Sequence, residues 1–176
     1  MENTAQEFDL EVFKYHNLAR TDPKSFIPKL EESLTHFEGK LIKRPELGVN
    51  LMTKEGPAAV KELITFLEAQ EPMAELEWQQ EMMPASRDHV LDTGPTGKTG
   101  CDGTDGSNPS DRQSRYVKLE GFSGENIDYG EKEPLDVIMA LMIDDGVPGR
   151  GHRTNIFNKQ FKKMSCFTGD HKVYKK

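Results

Sequence analysis

The chain has 176 residues, 35% of them hydrophobic, which suffices for one substantial core and, on length, for a single domain. Its formal net charge of −7 excludes a binder of phosphate backbones, which needs a concentrated basic surface, so no nucleic-acid partner is expected. The opening "MENTAQEFDLEVFKYHNLAR" carries two acids among its first seven residues and no unbroken apolar run, and no later segment approaches membrane-spanning length. As it stands the chain is expected in the cytoplasm; a secreted protein given without its leader would read the same. Cys101 and Cys166 permit one bridge at most, which is no disulfide framework.

Phe8, Val12, Tyr15 and Leu18 recur at helical spacing and predict a first helix, with Asp9 or Thr4 as its cap. "RTDPKSFIPKLEESLTHF" restarts after Asp22 with Pro23 at the first helical position, and Pro28 is expected to kink it. "EGKLIKRPELGVNLMTKEG" reads as an irregular connection. "GPAAVKELITFLEAQEP" predicts a helix with Val60, Leu63, Ile64 and Leu67 on one face, stopping before Pro72. Residues 1–70 thus form a helical N-terminal part. "AELEWQQEMMPASRDHVLDTG" is expected to be helical on both sides of Pro84 and to close at Gly94 and Pro95.

Residues 94–115 follow as a long loop rich in glycine, serine, threonine and aspartate, of a length more often functional than accidental. "SGENIDYG" predicts a short strand, "EPLDVIMALMIDDG" a helix that becomes fully buried, and "FKKMSCFTG" another strand. Helices followed by strand, helix and strand indicate an α+β fold with helices packed on a small sheet.

Three polar stretches interrupt these apolar elements: "TGCDGTDG", "GEN" and "IDDGVPGRGHR". Asp144 and Asp145 end a buried helix, an unfavourable place for anions, so a cation should compensate: Arg150, Arg153 or a metal, with His152 the nearest titratable ligand. Gly146, Gly149 and Gly151 free the backbone to double back and aim His152. The plainer reading gives His152 a backbone carbonyl and uses the charges to tie the loop.

In their order along the chain, "ASRDHVLDTGPTGKTG", "GSNPSDR", "SGENIDYG" and "IDDGVPGRGHRTNIFN" together resemble the SCP-like or CAP superfamily, which includes cysteine-rich secretory, antigen 5 and pathogenesis-related proteins. The resemblance implies a three-layer α-β-α sandwich with a small, mainly antiparallel sheet, spanning residues 1–176 as one domain, with 94–115 as a cleft loop. It also implies a cleft of two histidines and two acids: Glu125 from GEN, His152 from GHR, Asp144 rather than Asp145 as the second acid, and Cys101 where the second histidine is expected. Those four, Glu125, Asp144, His152 and Cys101, are the candidate ligands of a weak, open zinc site. His89 reads instead as a helix histidine bonded to a neighbouring loop, and a Cys101 to Cys166 bridge carries little weight.

Relatives add a strand after "FKKMSCFTG", so an unpaired sheet edge and self-association through it are expected. The resemblance implies a binding domain for lipid, sterol or protein ligands. The alternative is a peptidase-like hydrolase using Glu125 with His152, or Cys101 with His152, as its catalytic pair.

Overall fold

A computed structural model of the chain describes residues 6–44 and 48–175, apart from the side chain of Val49. Helix α1, Glu7–Thr21, starts at Gln6, whose amide donates to the Asp9 carboxylate at 3.1 Å. Asp9 is therefore the capping acid, while Thr4 lies outside the described residues. Two buried polar residues of α1 stitch distant chain to it. Asn17 exchanges hydrogen bonds with the backbone of Leu76, at 2.9 and 2.8 Å. Arg20 donates to the carbonyls of Ala74, Ile156 and Asn158.

A 3-10 turn, Pro23–Phe26, runs directly into α2, Ile27–Leu34. Pro28 falls in the first turn of α2, where a missing amide costs nothing, so it opens a helix rather than kinking one. The segment expected to be irregular is instead a three-stranded antiparallel sheet: β1 (Phe37–Glu38), β2 (Leu41–Arg44) and β3 (Val49–Met52). Phe37 faces Ile42 and Leu41 faces Met52. The hairpin between β1 and β2 turns on Gly39 and Lys40, with Gly39 at φ 63°.

Helix α3, Pro57–Ala69, buries Ala59, Val60, Leu63 and Leu67 and stops where expected. The residues before Pro84 are not helical as predicted. They form β4, Glu77–Trp78, and a 3-10 turn, Gln80–Met82, before α4, Met83–Thr93, starts around Pro84. The long loop contains α5, Pro109–Ser114. Then come α6 (Pro134–Ile143), α7 (Gly151–Ile156) and β5 (Lys163–Met164), which pairs in parallel with β4.

Two strand predictions fail in part. Residues 123–130 take no sheet pairing among the described residues, and "FKKMSCFTG" is strand only at β5. The fold is nonetheless α+β, as expected. Its core joins α1, α2, α3, α6 and α7 through Ala19, Leu30, Leu63, Leu67, Met142 and Ile156, with α6 packed between α1 and α3. None of the described helices is long and apolar enough to cross a membrane.

Candidate functional site

Helix α6 ends at Asp144, which adopts the left-handed conformation (φ 54°, ψ 46°) and donates its amide to Ala140 O at 2.8 Å. Aspartate tolerates that region better than most residues. Beyond it, Arg150 is also left-handed, and Gly146 and Gly149 have φ of 74° and 78°. The chain therefore reverses within a few residues. The helix end expected to need a cation receives two: Arg150 donates to Asp144 O at 2.8 Å, and Arg153 to Met142 O at 2.6 Å.

The same guanidinium groups anchor the bend to α3 and the loop before it. Arg150 binds both carboxylate oxygens of Glu55, at 2.6 and 2.7 Å, and Arg153 binds Glu62 at 2.8 Å. Asp145 accepts the amides of Lys54 and Glu55. The Arg150 hydrogen bonds, with one from the Gly146 amide, pull the Glu55 carboxyl down to about 2. Asp145 is thus a loop anchor, and Asp144 is the acid that meets the histidine.

That meeting is two-pronged. Asp144 Oδ2 accepts the His152 amide at 2.9 Å, while Oδ1 lies 2.7 Å from His152 Nδ1. Opposite a carboxylate, Nδ1 is the donating nitrogen, which leaves Nε2 of the neutral ring with its lone pair free. The Asp144 side chain is 2% exposed and that of His152 is 28% exposed, so the acid is interior and the ring reaches the surface.

The GEN segment lies along α7. Asn126 donates to His152 O at 3.0 Å and accepts from Asn155 Nδ2 at 2.8 Å. Gly124 is required by this approach, since a Cβ there would meet Phe161 at 3.0 Å and Asn155 at 3.3 Å. Glu125 turns away from the histidine to the buried Arg112, which binds its two oxygens at 2.8 and 2.9 Å. Arg112 is the residue the sequence reading left without a role. Its signal was the "SNPSDR" stretch, in which Asn108 caps α5 and exchanges hydrogen bonds with Asp111.

Cys101 follows a peptide clamped on both sides: Gly100 N donates to the Tyr129 hydroxyl at 3.0 Å, and Gly100 O pairs with His89 Nε2 at 2.9 Å. His89 is thus the loop-bonded helix histidine expected. The residue is exposed, yet partial burial and then the Glu125 charge push its thiol up, with Arg112 opposing. Cys166 donates to Asp9 O at 3.1 Å, and burial pushes its thiol up strongly. The two cysteines are not joined.

The structure therefore couples Asp144 with His152, and Glu125 with Arg112 in electrostatic reach of Cys101. Asn126 is the link between the two pairs. Among the described residues no three or more His, Cys, Asp or Glu side chains are placed to hold a metal. As they lie, Glu125 is taken by Arg112 and Asp144 by His152, so the four residues do not fit a zinc site.

Behind GEN lies a cavity of about 570 Å³ running from α1 and α4 to the last segment of the chain. Phe8, Val12, Leu76, Ile127, Val137 and Phe161 contribute apolar wall. Polar atoms also reach it. His16 Nδ1, His89 Nδ1 and Ser165 Oγ are buried without a hydrogen-bond partner, and all three residues line the cavity. Burial, with the Arg20 charge, lowers His16 to about 4; burial, with the Glu131 charge, raises Asp128 on the opposite wall to about 7.

A family model described as CAP, the cysteine-rich secretory protein family, matches residues 13–174. No curated protein and no solved structure matches the chain.

Proposed function

The chain belongs to the CAP, or cysteine-rich secretory protein, family, and from that premise we propose that it is a non-enzymatic binding domain whose ligand enters the cavity behind GEN. The observation that carries this reading is the cavity itself: about 570 Å³, mainly apolar, with a few polar atoms buried and unpaired, the constitution of a small-ligand site. Lipid, sterol and protein segments are the ligand classes it suits.

The alternative is a hydrolase, favoured by the free Nε2 of His152 and the unbridged thiol of Cys101. Against it, Glu125 is held by Arg112 instead of polarising a water, and the Cys101 thiol is pushed towards its neutral form, the weaker nucleophile. The test pairs calorimetric titration of a fatty acid, a sterol and a short extended peptide with assays for ester and peptide hydrolysis. Binding with ligand recovered intact supports the binding domain. Turnover lost in both Cys101→Ser and His152→Ala establishes the hydrolase instead, and absence of both binding and turnover defeats both readings.

A further inference from the structure

Two opposite walls of the cavity carry bare main chain. Along one wall, residues 126–128 make no backbone hydrogen bond among the described residues. The carbonyls before them are taken by side chains: Gly124 O accepts from Gln113, and Glu125 O from Asn155. Along the other wall, residues 165–169 likewise make none; pairing with β4 ends at Met164 O, which accepts from Gln79 N. Both stretches lie outside any helix or strand, and both are half-buried.

Half-buried amides and carbonyls without partners are costly, and almost all such groups in folded chains find one. A fatty acyl chain or a sterol ring filling the cavity would cover the apolar wall and leave both rows of peptide groups unsatisfied. An extended peptide has alternating donors and acceptors on both of its edges and can answer both rows at once. Its side chains project alternately to the two sides, where they meet the apolar wall on one side and the unpaired His16, His89 and Ser165 atoms on the other.

We propose that the cavity binds an extended peptide segment by strand insertion between residues 126–128 and 165–169, the segment presenting apolar residues alternating with hydroxyl-bearing ones. This rests on the binding-domain reading above and names its ligand class. The main chain supplies the affinity and the two faces of the slot the selectivity, the division found wherever a strand is added to a protein.

The experiment is amide hydrogen exchange on the chain with a probe peptide of alternating valine and threonine, roughly six residues long. A second probe is the same peptide N-methylated at alternate residues along one edge. The expected result is exchange at 126–128 and at 165–169 slowed about tenfold or more by the first probe, and affinity weakened at least about tenfold by methylation, which removes donors along one edge. Equal binding of the methylated peptide, or protection of one wall only, overturns strand insertion. Binding of a fatty acid or a sterol without the peptide overturns it too, but leaves the binding domain standing, whereas binding of none of the three removes both. Protection of both walls without peptide also overturns it. If that protection rises with protein concentration, a second copy fills the slot; if it does not, the walls close on one another.

Discussion

The bend from Asp144 to Arg153 and the slot between residues 126–128 and 165–169 lie on the two sides of the GEN segment, and they are held in opposite ways. In the bend most polar groups are engaged. Two arginines take up the carbonyl end of α6, two glutamates take up the arginines, and Asp144 fixes His152 at two atoms. In the slot the main chain answers to nothing, and three polar side-chain atoms are buried unpaired. A region so tied keeps one geometry at the cost of adaptability, while a region of unmet hydrogen bonds is one that a ligand can complete. The contrast assigns positioning to the bend and binding to the slot.

The largest expected effect tests the tied side. Arg153 is buried, donates to Met142 O, pairs with Glu62 and lies 5.3 Å over the Phe66 ring. Arg153→Ala should cost about 3–5 kcal/mol, because it strips the carbonyl end of α6 and leaves Glu62 with one arginine. Thr168→Ala, in a slot side chain with no hydrogen bond, should stay within about 0.5 kcal/mol. Urea denaturation of both variants checks the contrast, and equal costs would break it.

The next effect belongs to the slot and depends on pH. Asp128 is raised to about 7 in the folded chain, by burial first and Glu131 second. The stability it supplies is therefore complete below its unfolded value of about 3.9 and is lost as pH rises through about 7. His16, lowered to about 4, has the reverse sign: its contribution is complete above its unfolded value of about 6.5 and is lost as pH falls through about 4. Asp128→Asn should leave stability near pH 4 unchanged and raise it at pH 8 by a few kcal/mol, at ~1.4 kcal/mol per unit of separation. Denaturation curves at the two pH values decide it; no gain at pH 8 would mean that the Asp128 carboxylate is not penalised by the slot.

A smaller effect returns to the bend. Gly146 has φ 74°, and a Cβ there would run into the Lys54 side chain, whose far end can give way. Gly146→Ala should therefore cost about 1–2 kcal/mol, chiefly from backbone strain, and loosen the Asp144 to His152 contact. The pH titration of His152 followed by NMR in the variant checks the second part: an unchanged titration would show that the glycine does not help to hold the ring.

The bend was legible in the sequence because its chemistry is local. Acids at a helix end, spaced glycines and two arginines within ten residues define what must meet what, and Asp144, Arg150, His152 and Arg153 all meet as those rules require. The helices were legible wherever proline, capping residue and apolar period agreed, as in α1 and α3. The strands were not. A strand is fixed by the partner across from it, and "SGENIDYG" has the alternation of a strand without the neighbour. The sheet of β1, β2 and β3 was overlooked although Gly39 and Lys40 stand between Phe37-Glu38 and Leu41-Ile42 as a two-residue hairpin loop. The pairing of Glu125 with Arg112 was out of reach for a different reason: it joins GEN to a helix hidden inside a stretch that reads as loop.

The smallest expected effect concerns Cys101, and it separates a positioned residue from a reactive one. Its peptide is clamped by Tyr129 and His89 through Gly100, which gives the thiol a fixed place, but fixing a thiol does not activate it. Activation needs a cation or a base to stabilise the thiolate. Here partial burial and the Glu125 charge act the other way, and the opposing Arg112 is already bound to Glu125. Because the thiol is raised above its ordinary value, alkylation at pH 7 should be slower than that of a free cysteine and should accelerate only above about pH 9. Cys166, buried against Asp9 O, should react only on unfolding, so one label per folded chain is expected. Cys101→Ser should change stability by less than about 0.5 kcal/mol and leave ligand binding in the slot unaltered. Labelling measured by mass spectrometry across that pH range tests the point. Fast reaction at neutral pH would place an ionised thiol beside Glu125, which those charges disfavour, and would move the active part of the molecule from the slot to the loop.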